Sequence, residues 1–123
     1  MAREPFRSGC PIASSLDLIG DRWTLVILRD LVNGKTKFAE FLASPEGIAT
    51  NTLAARLAQM QADGLVRGRL YRARPRRYAY KLTRKGAALL PVLQTLCVWG
   101  QDELPERWAA PAAFMNKTPA DLL

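Results

Sequence analysis

The chain has 123 residues, of which 49% are apolar and 24% charged, a composition typical of one soluble globular domain. It contains neither a run long enough to cross a membrane nor the apolar core of a signal peptide, so we expect a cytoplasmic protein. With no histidine and only two cysteines, Cys10 and Cys97, the sequence argues against an enzyme, a cofactor or a metal site.

The positive charge, +7 overall, is concentrated in the second half of the chain. No acidic residue occurs between Leu65 and Gln101, whereas half of all lysines and arginines fall between Leu65 and Lys85. These nine residues are Arg67, Arg69, Arg72, Arg74, Arg76, Arg77, Lys81, Arg84 and Lys85. A run of basic residues without acidic ones is typical of a protein that binds a polyanion. Positive charge alone does not show whether that polyanion is DNA, RNA or an anionic membrane.

Three short helices are predicted in the first third of the chain. The first begins at Pro11, a residue favoured at the first helical position, and ends at Ile19. The second spans Trp23–Val32, with Asp30 falling in register with its apolar residues. The third begins at Thr36, which we expect to be its N-cap. Its apolar stripe consists of Phe38, Phe41 and Leu42.

A fourth helix is predicted from about Thr50 to Ala62, and it is amphipathic. At 100° per residue, its large apolar side chains share one narrow sector. These are Leu53, Leu57 and Met60. The opposite face is small or polar and uncharged: Asn51, Thr52, Ala55, Ala58 and Gln59. Two short helices with a tight turn between them indicate a helix-turn-helix, with an ordinary helical hairpin as the alternative.

A β-hairpin is predicted directly after this helix, because the sequence changes to a period of two. In the first strand, Val66, Gly68 and Leu70 alternate with Arg67, Arg69 and Tyr71. In the second, Tyr78, Tyr80 and Leu82 alternate with Arg77, Ala79 and Lys81. The turn around Pro75 carries Arg74, Arg76 and Arg77, so the hairpin resembles a wing tipped with arginines.

A last helix is predicted from Thr83, its cap, to about Glu103, with Pro91 kinking it or dividing it in two. Its apolar residues include Leu89, Leu93 and Leu96, which either form a dimer interface or pack on their own domain. The tail, residues 104–123, is predicted to be poorly specified and partly disordered.

The predicted fold class is therefore mainly α with a small β-hairpin. It is a winged helix-turn-helix with an additional C-terminal dimerisation helix, built as one domain over residues 1–123 with a core at about 10–103.

Several segments of the chain also resemble the HxlR-type transcriptional regulators, relatives of the MarR-like winged-helix proteins. In chain order they are Cys10-Pro11, Ile19–Thr24, Lys37–Phe41, Leu53–Leu57 with Asp63–Val66, Pro75–Thr83 and Trp99-Gly100. The resemblance implies a homodimer that binds inverted-repeat operators in double-stranded DNA. Where the family often has serine, this chain has Ala49, so Thr50 becomes the alternative cap of the recognition helix.

In a helix-turn-helix protein the second helix enters the major groove, here the helix at about 50–62. Asn51 is the candidate for reading adenine, while Thr50 and Thr52 are candidates for phosphate or thymine-methyl contacts. Arg56 is expected to bind phosphate or to pair with an acid of its own domain, and Lys37 to contact the DNA backbone. The wing, about 71–78, is expected to place Arg74, Arg76 and Arg77 on the backbone or in the minor groove.

Two alternatives stay open at this point. An RNA-binding module would expose aromatic side chains for stacking, whereas the aromatic residues here fall on predicted buried stripes. A redox- or electrophile-sensing regulator would use Cys10, which precedes Pro11 at a helix start, near Arg3 and Arg7. Some HxlR-type regulators sense through the matching cysteine, whereas an ordinary structural role for Cys10 is the competing interpretation. The small-molecule effector is unknown.

Overall fold

The computed structural model describes residues 6–123 and has a mainly helical fold with one antiparallel hairpin. The elements are α1 (Pro11–Ile19), α2 (Thr24–Val32), α3 (Phe38–Leu42), α4 (Thr50–Ala62), β1 (Val66–Ala73), β2 (Arg76–Leu82), α5 (Arg84–Ala87), α6 (Leu90–Glu103), α7 (Ala112–Met115) and a 3-10 turn (Pro119–Leu122). The predicted class, mainly α with a small hairpin in the winged helix-turn-helix order, is confirmed.

The core lies where α2, α3, α4 and α6 meet the base of the hairpin. The predicted apolar face of α4 is buried, with Leu53, Leu57 and Met60 each at most 1% exposed. Ile27 and Leu28 of α2 pack in the same cluster. Because α4 buries only this face, its opposite side is left at the surface.

A polar network fixes α2 against the loop that follows α3. Asp30 is buried, accepts hydrogen bonds from Arg29 at 2.9 Å and from the Ser44 hydroxyl, and so satisfies its carboxylate. Lys35 donates to Ser44 at 2.8 Å, and Arg29 donates two bonds to Glu46 at 2.7 and 2.8 Å. The Arg29 guanidinium holds the pKa of Glu46 below its usual value. Because both oxygens of its carboxylate have partners, Asp30 can be buried among the apolar residues of α2.

The start of α3 differs from the predicted one, whereas α4 begins at Thr50 as predicted and differs only in its cap. Lys37, not Thr36, is the N-cap residue of α3. The Glu40 carboxylate accepts hydrogen bonds from the backbone N–H groups of both Thr36 and Lys37 at 2.9 Å, so the helix is capped from within. At α4, Ala49 occupies the cap position without a side-chain bond and Thr50 is already helical. Thr50 therefore does not act as the cap.

The hairpin register contains one irregularity that the alternating sequence pattern does not reveal. Leu70 pairs with Tyr78, but the next pair is Arg72 with Arg77, so Tyr71 is an extra residue in a β-bulge. Beyond the bulge, Arg72 takes the face that Tyr71 was predicted to occupy. The tip turns at Arg74-Pro75, whose peptide bond is cis.

The predicted last helix is divided as expected, since α5 ends at Ala87 and Pro91 lies in the first turn of α6. Thr83 caps α5 by accepting a hydrogen bond from the Gly86 N–H at 3.0 Å. Leu93 is buried in its own domain, whereas Leu96 stays 48% exposed. Leu93 therefore follows the packing alternative, while the Leu96 side of the helix stays at the surface of the domain.

The prediction of a poorly specified tail is wrong, because the tail folds back onto the core. It forms α7 and the 3-10 turn, and Phe114 is only 6% exposed. The side-chain amide of Gln94 on α6 lies within 2.9–3.2 Å of the carbonyl oxygens of Phe114, Met115 and Lys117. A buried aromatic side chain and the Gln94 amide thus hold a segment whose prolines had suggested disorder.

This arrangement predicts that the tail contributes to stability. Replacing Phe114 with alanine removes a buried aromatic ring and leaves a cavity, so the free energy of unfolding should fall by about 3–5 kcal/mol. Urea denaturation at one fixed protein concentration measures it. Leu123→Ala is the matched control, because that side chain is 59% exposed in the same tail. Equal stability of the two variants would show that the tail does not pack as described.

Candidate nucleic-acid interface

The position of α4 is fixed by its buried face and by contacts at its C-terminal end. After Leu53, Leu57 and Met60 insert into the core, the helix ends in a turn at Gly64, whose φ of 76° favours glycine. Lys85 donates to the carbonyl oxygen of Asp63 at 2.7 Å, and the side-chain oxygen of Gln61 accepts from the N–H of Gly68 at 3.0 Å. The hairpin therefore follows α4 in a defined orientation.

The first turn of α4 presents the residues predicted to read DNA. Thr50 and Asn51 are exposed, and Thr52 is half-buried. The side-chain oxygen of Asn51 accepts a hydrogen bond from the N–H of Thr52 at 3.0 Å. An amide oxygen has two lone pairs, and the Asn51 amino group has no acceptor within residues 6–123, so the side chain retains both a donor and an acceptor.

Arg56 lies beside Asp21, which is the second of the two roles predicted for it. The two charged groups approach to 3.6 Å, and Asp21 also accepts hydrogen bonds from the N–H groups of Trp23 and Thr24 at 2.9 Å. Burial raises the pKa of Asp21, but hydrogen bonds from Thr24 and Trp23 and the charge of Arg56 bring it below its usual value. Arg56 thus links α4 to the start of α2.

Lys37 lies against the wing instead of standing free at the start of α3. Its ammonium group is 5.0 Å from the centre of the Tyr71 ring, a cation–π contact. Its backbone forms an isolated bridge with Ala79, and the neighbouring Thr36 carbonyl accepts from the N–H of Tyr80 at 2.8 Å. The hairpin is therefore joined to α3 as well as to α4.

One face of the hairpin is almost entirely cationic. Residues directly across the two strands share a face, so the register pairs Arg67 with Lys81, and Arg72 with Arg77. Arg69, opposite Ala79, lies between these two pairs. No ion pair within residues 6–123 involves any of these side chains. Like charges directly opposite each other destabilise a hairpin, so this face lowers the stability of the isolated hairpin.

The wing-tip arginines Arg74, Arg76 and Arg77 are all exposed, as predicted. Arg72 belongs with them but was missed as a site residue, because the bulge at Tyr71 changes which face it occupies. The run of basic residues in the sequence was the only available signal. Tyr80 packs edge-on against Phe41 with ring centres 6.3 Å apart, as expected for a core residue, whereas Tyr78 is 37% exposed.

Outside the hairpin, two helices each leave large apolar side chains exposed. In α1 no residue is buried, although Ile12 and Leu16 are large apolar side chains one turn apart. In α6 the exposed apolar side chains Val92, Leu96 and Trp99 share one face. We call these two exposed apolar faces together the α1/α6 face, and each has the chemistry of a protein–protein contact.

Cys10 is exposed at the N-cap position of α1, while Cys97 is half-buried against the core. Arg7 was expected to add positive charge near Cys10, but its guanidinium forms an ion pair with Asp17. Arg3 lies outside the described residues. The structure therefore shows an accessible thiol but only part of the positive surroundings predicted for it.

Metal-ligand clusters and membrane-spanning helices are two other classes of feature. Within residues 6–123, no three Cys, Asp or Glu side chains are grouped as metal ligands would be. In the same part of the chain, no helix combines the length and hydropathy needed to span a bilayer.

Comparison with known proteins identifies the relatives of this arrangement. A sequence model of a family described as HxlR-like helix-turn-helix matches residues 18–108. The uncharacterized HTH-type transcriptional regulator YybR of Bacillus subtilis is 32% identical over 97 residues, which cover 79% of this chain and 78% of YybR.

Solved structures agree in both fold and sequence. PA1607, described as a candidate transcription factor, is 38% identical with a TM-score of 0.74, over 85% of this chain and 73% of that one. The redox regulator HypR in its oxidized form is 31% identical with a TM-score of 0.69, over 76% of this chain and 97% of that one. The chain belongs to the HxlR-like helix-turn-helix family of transcriptional regulators.

Proposed function

We propose that this regulator binds double-stranded DNA sequence-specifically, as a homodimer on an inverted repeat. The observation that carries the proposal is the cationic face of the hairpin, where Arg72 lies directly opposite Arg77 with no acidic partner in residues 6–123. Phosphate groups along a duplex would relieve this repulsion and release condensed counterions, which drives binding. The wing stands beside α4, the helix whose exposed face is small and uncharged.

In this proposal α4 enters the major groove with its first turn leading. The groove admits a helix, and small side chains such as Ala55 and Ala58 allow the backbone to approach the base edges. Asn51 offers a donor and an acceptor to adenine, and Thr50 and Thr52 contact phosphate or a thymine methyl group. Arg56 supports this position through Asp21 and so acts indirectly.

The wing follows the DNA backbone or enters the adjacent minor groove. Arg74, Arg76 and Arg77 supply the contacts at the tip, and Arg72 adds a fourth. Lys37 contacts the backbone near the wing, since it is held there by Tyr71. A narrow minor groove concentrates negative potential, which favours arginine over neutral side chains.

Substitutions in the wing and in α4 should change DNA affinity in different ways. Arg77→Ala or Arg72→Ala should weaken binding to every duplex alike and reduce the salt slope by about one unit per lost phosphate contact. Asn51→Ala should instead lower operator affinity by about 1–3 kcal/mol and relax specificity at one base pair. Fluorescence anisotropy with operator and random duplexes measures both effects.

Arg84→Ala is the matched control, because Arg84 is exposed in the same basic run but lies outside the wing. An equal loss on operator and random DNA for Asn51→Ala would contradict base reading by α4. Single-stranded RNA of the same length serves as competitor. Preferential binding of that RNA would favour an RNA-binding module over the proposed regulator.

We infer that the dimer forms through the α1/α6 face. The buried and the exposed apolar residues of α6 lie on different sides, with Leu90, Leu93 and Cys97 toward the domain and Val92, Leu96 and Trp99 away from it. A helix with two apolar faces, α6, and a helix with no buried residue, α1, leave apolar side chains suited to an isologous contact. Such a dimer would place two recognition helices about 34 Å apart, one turn of B-DNA.

Leu96→Glu should dissociate the dimer, because it places charge in the centre of the apolar contact. Multi-angle light scattering at micromolar concentration should then give the mass of one chain instead of two, and operator affinity should fall. Val98→Glu is the control, since Val98 is similarly exposed but about 200° around α6 from Leu96. A wild-type monomer that still binds a single half-site tightly would contradict the proposal.

A second, narrower candidate is a redox- or electrophile-responsive form of the same regulator, with Cys10 as the reactive thiol. It is favoured by the exposure of Cys10 at a helix N-terminus beside the α1/α6 face. The relative HypR is described as a redox regulator. Modification of a thiol at this place would alter the packing of α1 and thereby the spacing of the two recognition helices.

Mild diamide or quinone treatment should therefore change operator affinity of the native protein, and Cys10→Ser should abolish the response. Cys97→Ser is the matched control and should respond like the native protein, because Cys97 is half-buried on α6. Mass spectrometry identifies the modified residue. Unchanged affinity with an unreacted Cys10 would leave it as a structural residue.

A further inference from the structure

A cavity of about 610 Å³ lies between the root of the hairpin, the end of α2 and the C-terminal tail. Its apolar part is formed by Leu31, Val32 and Leu82, all buried, and by Leu122 of the tail. This volume falls within the range of pockets that hold small organic ligands, about 300–1,000 Å³. The cavity belongs neither to the first turn of α4 nor to the wing tip.

The polar lining of this cavity is strongly cationic. Arg67, Arg69 and Lys81 enter from the hairpin, and Lys117 enters from the tail. The one acidic lining residue, Asp121, accepts hydrogen bonds from the N–H and hydroxyl groups of Thr118 at 2.7 and 3.1 Å and so caps the 3-10 turn. The lining therefore contains four cationic side chains and one carboxylate that is already hydrogen-bonded. Two of the cations, Arg67 and Lys81, lie directly opposite each other across the strands.

The tail that completes this cavity lies outside the part of the chain that matches the family, residues 18–108. It is held in place by Phe114 in the core and by the Gln94 amide, so the wall carrying Lys117 and Leu122 is fixed. The rest of the lining lies within the matched residues, and the tail adds Lys117, Asp121 and Leu122 to it.

We propose that this cavity binds a small organic anion with an apolar body, such as an aromatic or aliphatic carboxylate or sulfonate. The acidic group would lie among Arg69, Lys81 and Lys117, where charge-assisted hydrogen bonds are available. The apolar body would cover Leu31, Val32 and Leu82. Such a molecule fits this place better than a DNA phosphate alone, because the lining also offers these apolar side chains.

The same residues connect the cavity to the proposed DNA-binding elements. Ala79 and Tyr80, which line it, form the backbone contacts with Lys37 and Thr36 that join the hairpin to α3. An anion bound here neutralises part of the cationic face of the hairpin, so it should weaken DNA binding by lowering the attraction for phosphate. Only this regulatory consequence rests on the proposed function. Anion binding itself does not.

The test uses 1-anilinonaphthalene-8-sulfonate as the probe and two-dimensional ¹H–¹⁵N spectra of the full chain as the readout. Saturable shifts are expected at the amides of Ala79, Lys81 and Leu122. In the double variant Arg69→Gln, Lys117→Gln the affinity for these shifts should fall about tenfold or more, the loss expected for removing charge-assisted hydrogen bonds. Arg84→Gln is the control and should bind the probe like the native chain. The uncharged N-phenyl-1-naphthylamine should bind more weakly than the sulfonate.

Absence of saturable shifts at the three amides, or equal affinity in the native chain and the double variant, would overturn the proposal. The double variant replaces an exposed arginine and a half-buried lysine with glutamine, which is uncharged. Its spectrum reports whether the fold is retained. DNA binding is measured separately on the probe-free protein. If the native chain binds the probe but does not bind DNA, the proposed function is rejected and the proposed anion site is not.

Discussion

The register of one two-stranded hairpin determines most of the electrostatics of this protein. Two cross-strand pairs, Arg67 with Lys81 and Arg72 with Arg77, place like charges directly opposite each other. Such pairs destabilise an isolated hairpin, and no acidic side chain within residues 6–123 compensates them through an ion pair. The hairpin is instead stabilised by the apolar packing of Val66, Leu82 and Tyr80 at its root. Its free face is left charged.

Four carboxylates of the described residues bind within the helical body and leave the charge of the hairpin unbalanced. Asp30 and Glu46 engage Arg29, Asp21 caps α2 and holds Arg56, and Glu40 caps α3. Each carboxylate thus stabilises the helical body, while the hairpin receives none of them. The body is close to self-neutralised and the wing is cationic, a division that suits a scaffold carrying a surface for polyanions.

Much of the fold could be predicted from the sequence because its signals are local. The apolar face of α4, the change to a period of two at Val66 and the division at Pro91 each depend on neighbouring residues. The bulge at Tyr71 could not be read, since it depends on which residue of β2 each residue of β1 meets. Likewise, the ordering of the tail depends on Phe114 and Gln94 meeting across the chain.

The candidate site shows the same limit. Exposure of Asn51 and of the wing-tip arginines follows from the helical and strand patterns, so those residues could be named in advance. The contact of Lys37 with Tyr71, the pairing of Arg56 with Asp21 and the position of Arg72 are tertiary facts that no spacing encodes. The cavity beneath the hairpin needs the tail as a wall and was therefore invisible in the sequence.

The most direct test of the account is selection of bound duplexes from a random DNA library by the purified full-length chain. Because the recognition helices of a two-fold dimer should lie one turn of B-DNA apart, the selected sequences should contain an inverted repeat. Its half-site centres should be separated by about 10–10.5 base pairs or a multiple of that distance. Enrichment of such a repeat is the predicted result. No sequence enrichment, or enrichment of a single unpaired half-site, would contradict the account.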